Sequence, residues 1–424
     1  MFDVIIVGGG AAGFYAAIHI AEHNPELSIA IFERGKNVLS KVKVSGGGRC
    51  NVTHALFSPH ELVNNYPRGG KELLGPFHTH DPSDTMHFFE EKGVPLKVET
   101  DGRVFPKSDS SQTIVDCFLN TVKNLGINIL KNSAVKKITF LRKERLWQVT
   151  TMNKHYHAKK LLIATGSNPK VWQLLATLGH VIVPPVPSLF TFNVDDKRIK
   201  NIQGISTHAE VEIPQKKHYD SQITITLKSK VVKEPVLFSE GPVLITHWGL
   251  SGPAILKLSA WGAHLLNKYK YNFKITVNWV PEYTKASMVQ FLKKVREVEA
   301  KKTILRSHIV ELPRRLWANL VKAAAIESDL RWAEAPNETL EQLAGELTAC
   351  SLKVNGKSTF KEEFVTAGGV DLKEINFKTF ESKILPNLYF AGEVINVDAI
   401  TGGFNFQNAW TGAYIAAKAI ASHS

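Results

Sequence analysis

Cysteine is scarce in this chain: Cys50, Cys117 and Cys350 are the only three in 424 residues. They lie far apart and form no C-x-x-C pair. A disulfide framework, a cysteine-built zinc site and a dithiol between sequence neighbours are therefore not expected, and a reducing cytoplasm is the expected compartment. Long apolar runs are missing as well; none approaches the ~18 residues of a membrane span. Met1-Phe2-Asp3 leads straight into an apolar strand, without the basic n-region of a secretory signal. The chain has no HExxH or other metal spacing, no G-x-S-x-G elbow and no P-loop lysine. No metal is expected, and a serine hydrolase or NTPase is disfavoured. There is no internal repeat and no arginine-rich tail.

Acidic residues are in deficit. Lys and Arg number 52 against 39 Asp and Glu, a formal charge of +13. The excess lies in patches: Lys131 to Lys137, Arg142 to Arg145, Lys216-Lys217, Lys228 to Lys233 and Lys293 to Arg306. Such a surface is either merely solvated or meets an acidic partner, nucleic acid or a phosphorylated ligand.

At 424 residues the chain should fold as two or three domains. Residues 3–7 read as a buried parallel strand ended by glycine, 11–23 as a helix and 28–33 as a second strand, a βαβ unit. A further buried strand, 161–164, ends at Thr165-Gly166. From about 188 the texture becomes alternating, in Ala209, Val211 and Ile213, in Gln222 to Leu227, and again in Phe273, Ile275 and Val277. Pro184 to Pro187 is the expected boundary. Residues 284–348 read as mostly helical, and Asn355-Gly356 signals a turn. A strand at 388–391 and a helix at about 406–421 close the chain. The expected division is an FAD domain over 1–187 and 351–424, with a β-rich insert at 188–283 and a helical insert at 284–350.

Gly8-Gly9-Gly10-Ala11-Ala12-Gly13 fits G-x-G-x-x-G. Alone the string is weak. Here it follows a strand, opens a helix, and has Glu33 at the end of the next strand, which makes a dinucleotide fingerprint. Gly8 serves the tight turn, Gly10 admits the pyrophosphate, and Gly13 permits close helix–strand packing. The helix N-terminus offers free N–H groups to phosphate, and Glu33 can accept from ribose hydroxyls. FAD is favoured over NAD because a second Gly-rich strand–loop–helix junction stands at the other end: Gly392-Glu393, then Asp398 and Thr401-Gly402-Gly403.

The chain resembles the BaiN/RdsA-type, or HI0933-like, flavoprotein family. The resemblance rests on Lys41, Ser45-Gly46-Gly47-Gly48-Arg49-Cys50-Asn51 with Thr53, Gly102-Arg103-Val104-Phe105-Pro106 and Ala164-Thr165-Gly166. It continues in Thr246-His247-Trp248-Gly249-Leu250-Ser251-Gly252-Pro253, Thr366 to Val370, Ala391-Gly392-Glu393, and Thr401-Gly402-Gly403 with Asn405 and Gln407. It implies an α/β fold: an FAD-binding two-dinucleotide fold, Rossmann-like and of glutathione-reductase type. An inserted β-barrel-like domain and a small helical domain go with it. Two departures stand out. His54 replaces the family's usual Asn, and Ser167-Asn168-Pro169 runs directly into a helical stretch where the family commonly has a longer Gly-rich loop.

The expected FAD contacts are Gly8, Gly10, Ala11, Ala12, Gly13, Glu33 and Arg34 near the fingerprint, with Lys41, Ser45, Gly46, Gly47, Arg49, Cys50 and Asn51 in the triple-glycine segment. Val135, Thr165 and Gly166 follow, then Gly392, Glu393, Asp398, Gly402, Gly403, Asn405, Phe406 and Gln407. Lys41 and Arg49 are candidates to stabilise a reduced, anionic flavin. Cys50 and Arg103 are the catalytic candidates. Cys50 beside Arg49 could have a lowered pKa and act as a proton donor, or be buried and inert; Arg103 could equally form a strand-end salt bridge.

One fingerprint and not two implies that NAD(P)H would visit the flavin transiently, sharing the site with the oxidised substrate. The expected reaction is NAD(P)H-driven reduction of an activated C=C bond. The resemblance implies two substrate directions, a uridine of large-subunit rRNA (dihydrouridine synthesis) or a small-molecule enone. Amine oxidation is a further possibility and a non-catalytic flavin-binding protein a third reading. The charge of +13 favours rRNA as partner.

Overall fold

The computed structural model describes residues 1–214, 237–358 and 365–422. The alternation at Gln222 to Leu227 and the patches Lys216-Lys217 and Lys228 to Lys233 lie outside the described residues. The chain divides into two compact units, Met1–Ser188 with Phe360–Ser424, and Leu189–Thr359.

The first unit is built on a parallel sheet. Strand Phe2–Val7 pairs in parallel with Ile29–Phe32 on one side and His155–Ile163 on the other. Asn128–Leu130 extends the first side and Leu388–Phe390 the second, both parallel. The central strands are apolar without alternation because both faces are covered; Val4, Ile5, Ile6, Ile31, Leu161, Leu162 and Ile163 are fully buried. The Ala11–His23 helix packs against the Phe404–Ser422 helix. Small residues on both, such as Ala16, Ala17, Ala413 and Ala417, are fully buried and permit close approach. Trp410 lies between them and the Thr53 region, its indole N–H donating to the Val52 carbonyl at 2.9 Å.

In the second unit seven strands of the described residues form an antiparallel path. It runs Cys350–Asn355, Asn272–Asn278, Ser206–Ile213, Leu237–Ile245, Gly249–Ser251, Thr191–Asn193, Lys357–Ser358. The two ends of that path are consecutive in sequence, joined by Gly356 alone. Gly356 donates to Tyr271 at one end and accepts from Asn193 at the other, so the sheet curls until its ends meet.

Two boundaries differ from those read in the sequence. Pro184 to Pro187 stand at the end of the first unit's opening segment, Met1–Ser188, within strand Ile182–Ser188, which pairs with Val365–Val370 in the first unit. Proline is tolerated there because the register shifts between Val183 and Val186 and no ladder bond is demanded of it. The helices Lys285–Val298, Arg314–Ala323 and Asn337–Thr348 share one apolar core with the curled sheet, so the β-rich and helical inserts are a single unit. The return to the first unit comes later than 351, since Cys350–Asn355 still pairs with Asn272–Asn278.

Candidate functional site

The fingerprint glycines do different things. A Cβ on Gly8 would lie 2.3 Å from the Ala164 carbonyl oxygen, and its φ of +121° suits only glycine. A Cβ on Gly13 would lie 2.0 Å from the Gly8 carbonyl oxygen. Glycine in a helix costs about 1 kcal/mol relative to alanine, far less than a backbone clash of that kind. Gly10 is the opposite case, with nothing within 4 Å of an added Cβ. No side chain caps the Ala11–His23 helix. The first-turn N–H groups, which have no intrahelical partner, therefore border open space at Gly10, with Ala11 and Ala12 as first-turn residues.

Glu33 is held in place from two sides. One carboxylate oxygen accepts from the Gly9 N–H at 3.0 Å and the other from Gly35 at 2.7 Å. Each oxygen keeps a further lone pair for hydroxyls. The segment leading to Val135 runs beside it, with Ser133 N–H donating to the Glu33 carbonyl at 2.8 Å and Asn132 to that of Gly35 at 3.1 Å. Arg34 is exposed.

The triple-glycine segment ends the Ser40–Gly48 helix by turning left-handed three times, at Gly46, Gly47 and Gly48, with φ of 57°, 67° and 85°. Gly47 and Gly48 have no neighbour within 4 Å of an added Cβ, so their backbone stands open. Asn51 Oδ1 is buried with no hydrogen-bond partner, and so is Thr165 Oγ1. Unpaired buried polar atoms are uncommon in a folded chain; here one lies beside Gly403, 2.9 Å from where its Cβ would stand, and the other belongs to the Thr165-Gly166 segment.

The C-terminal junction lies on this N-terminal motif. A Cβ on Gly403 would meet the Thr53 carbonyl at 2.6 Å and Asn51 Oδ1 at 2.9 Å. Gly392 faces Ala12 of the first helix, 3.3 Å from an added Cβ. Lys41 bonds Glu393 at 2.8 Å across the two chain ends, and both flank Gly166. His54 donates through Nδ1 to the Gly402 carbonyl at 3.0 Å and stacks on Phe404, and its other ring nitrogen lies 2.5 Å from where a Gly102 Cβ would stand. Glycine at 102 thus makes room for this imidazole, and glycine at 402 for the Phe404 ring it stacks on.

Several expected contacts are taken up elsewhere. Gln407 is fully buried; its carbonyl accepts from Thr53 at 2.6 Å and Thr85 at 3.1 Å, and its amide donates to Thr411 at 3.1 Å. Asn405 braces its own loop, bonding both the N–H and the carbonyl of Ala399. Asp398 is fully buried in an ion pair with Arg68 and accepts from Ser188 at 2.8 Å. Any cofactor contact from Asn405 or Gln407 would therefore run through backbone. Phe406 stacks on Trp410 with planes 7° apart. Arg68 was missed in the sequence, because nothing local marks a partner 330 residues away.

The catalytic candidates take the structural alternative in each case. Cys50 is fully buried, and desolvation pushes its thiol up to about 12, the opposite of the lowered pKa a proton donor would need. Arg49 turns away to Glu99 at 2.7 Å and Asp109 at 3.5 Å, over the Phe105 ring. Arg103 pairs with Asp101 at 2.7 Å and Glu99 at 3.0 Å, the salt-bridge alternative. His247 and Trp248 are exposed on a turn of the second unit, where the Thr246 N–H donates to the Gly249 carbonyl at 2.8 Å.

Comparison with known proteins gives a consistent picture. The family model described as HI0933-like protein Rossmann domain matches residues 2–419. A ribosomal RNA dihydrouridine synthase of Haemophilus influenzae is 27% identical, covering 98% of each chain. A 3-dehydro-bile acid delta(4,6)-reductase of Clostridium scindens is 24% identical, again covering 98% of each. Among solved structures, a 3-ketosteroid-Δ4-(5α)-dehydrogenase from Rhodococcus jostii RHA1 aligns over 99% of this chain and 96% of its own at a TM-score of 0.50 and 11% identity, a likeness of fold.

Two outcomes follow from this geometry. Gly10→Val should fold with an unchanged urea midpoint as apoprotein yet purify without flavin, because only a ligand would meet the new side chain; Gly13→Val should fail at folding, because the chain itself is in the way. Flavin retained by folded Gly10→Val would misplace the phosphate. Secondly, all three thiols are buried, with pKa values raised to about 12, 11 and 12 for Cys50, Cys117 and Cys350. Protons held by the fold above the ordinary thiol pKa make stability fall as pH rises from about 9 to about 12. At pH 8 iodoacetamide should leave all three unmodified in the native chain and alkylate them in urea; rapid native alkylation of Cys50 would show that its burial is misread.

Proposed function

The chain belongs to the HI0933-like family, and we propose that this flavoprotein oxidoreductase uses FAD and NAD(P)H to reduce an activated C=C bond. The observation that carries the reading is the meeting of both chain ends at one uncapped helix N-terminus, beside space kept clear at Gly10. Gly10 with the first turn at Ala11 and Ala12 would hold the pyrophosphate, and Glu33 the adenosine ribose. The open backbone of Gly47 and Gly48, with Asn51 Oδ1 and Thr165 Oγ1, would face the rest of the cofactor. FAD supplies two-electron chemistry between a nicotinamide donor and an electron-poor double bond.

The residues fix, position and exclude. Lys41 and Glu393 tie the two ends together, and the Arg68–Asp398 pair anchors the loop before Gly402. An effective general acid has a pKa near the working pH; Cys50, buried and raised to about 12, is poorly matched to that role.

The names of the two full-length relatives share a chemistry, saturation of a conjugated C=C bond, in a pyrimidine of RNA and in a steroid-like acid. The RNA acceptor is favoured by the charge of +13, since a polyanion is attracted by such excess. The target base would leave its stack before reaching a buried site. Small-molecule enone reduction is the second reading, supported by the similarity to the bile acid reductase over 98% of the chain.

The test is incubation of holoprotein and NADPH or NADH with protein-free large-subunit rRNA, followed by nuclease mapping and mass spectrometry. The reading expects one uridine to gain two hydrogens. Consumption of NAD(P)H with a steroid enone and no change in any uridine would transfer the assignment to the second reading.

A further inference from the structure

Three of the cations expected near the flavin already face carboxylates. Arg49 and Arg103 share Glu99, and each has a further carboxylate. Lys41 faces Glu393. If RNA is the substrate, cations with no carboxylate beside them are better placed to hold its phosphates.

In the second unit a cleft of about 500 Å³ is lined by Lys197, Lys200, Asn201, Arg315, Asn319 and Lys322, over Ile202 and Ala318. No carboxylate lines it. Among the described residues, Lys197, Arg315 and Lys322 enter no ion pair; Lys200 approaches only Asp195, at 3.9 Å and in water, a contact worth little.

The cleft is built, not a chance cluster of mobile lysines. In the Arg314–Ala323 helix, residues 315, 318, 319 and 322 fall on one face by the three- and four-residue spacing. Leu316, Trp317, Leu320 and Val321 bury the other face. Ala318 leaves a low floor between Arg315 and Lys322. The facing loop is pinned three ways. Asn319 donates to the carbonyls of Arg198 at 3.1 Å and Lys200 at 3.2 Å. Ile199 and Ile202 are buried in the core. Arg198 is clamped by Asp196 at 2.7 Å, by Glu346 at 2.9 Å and by the Ser351 carbonyl at 2.7 Å. Lys197 and Lys200 are left outward on a fixed backbone. The helix also carries arginine and no acid in its first turn, where the macrodipole favours the reverse; Arg315 does not serve the helix's own stability there.

We propose that this cleft docks the phosphodiester backbone of the RNA substrate, with Lys197, Lys200, Arg315 and Lys322 as phosphate contacts and Asn201 and Asn319 as polar rim. The proposal rests on the RNA reading above. It adds that affinity for RNA is carried by the inserted unit, on a surface with no fingerprint residue in it.

The test compares three forms of FAD-loaded full-length protein: the wild type, Arg315→Glu/Lys322→Glu, and a control, Lys274→Glu/Lys353→Glu. The control makes the same charge change in the same unit on a cross-strand pair outside the cleft. Binding to transcribed large-subunit rRNA is followed against salt, with the flavin spectrum as a check on integrity. Loss of two phosphate contacts should lower the slope of log affinity on log salt by ~1.4, which is ~25-fold in affinity at 0.1 M salt, from ~0.7 per single-strand phosphate. The control should keep the wild-type slope. Equal losses in both variants, or no loss in the cleft variant, would overturn the cleft while leaving the RNA reading standing. Wild-type affinity no greater than that of an unrelated protein of equal charge would remove the RNA reading and the cleft with it.

Discussion

The first unit depends on one close crossing, the carbonyl of Gly8 against the backbone of Gly13. It lets a helix begin directly at the end of the central strand, with its free N–H groups pointing past the sheet edge. A side chain at Gly13 would force the helix away from the strand end, and one at Gly8 would strike the Ala164 carbonyl after the neighbouring strand. Everything else in the site is placed relative to that N-terminus. The Phe404–Ser422 helix packs along the first helix, which carries Gly392 to Ala12 and Gly403 to Thr53. The buried Arg68–Asp398 pair then fixes the loop between them. Removing one partner of such a pair costs about 3–5 kcal/mol, because the other charge is left buried and alone. The pair is therefore a strong constraint on loop position whatever its net stabilisation.

Burial separates structural from chemical candidates in the triple-glycine segment. Cys50 and Gln407 are inside and satisfied or neutral; they hold the turn. Gly47 and Gly48 are open, and Asn51 and Thr165 each hold back one polar atom from the rest of the chain. The same sorting applies to the cations. Arg49, Arg103 and Lys41 brace the first unit through carboxylates, whereas Lys197, Lys200, Arg315 and Lys322 have none facing them in their cleft.

What the sequence disclosed was whatever is local. The βαβ unit, the fingerprint with Glu33 and the small-residue helix at the end each announce themselves within about thirty residues, and each stands where expected. Long-range pairings did not. Arg68 with Asp398, Lys41 with Glu393 and Arg49 with Glu99 leave no trace in spacing, so cations were assigned to an anionic ligand that in fact face carboxylates. The return to the first unit slipped for a related reason: Cys350–Asn355 still pairs with Asn272–Asn278, and strand pairing across the chain decides where one unit ends. The curled sheet closes through Gly356, a residue that sequence marks only as a turn.

The central claim is that one cofactor site is assembled from both ends of the chain. Hydrogen–deuterium exchange of the apoprotein titrated with FAD tests it directly. The account predicts slowed exchange in residues 8–13 and in residues 391–403 together, with the same dependence on FAD concentration. Protection confined to one end, or appearing at the two ends with different affinities, would contradict it.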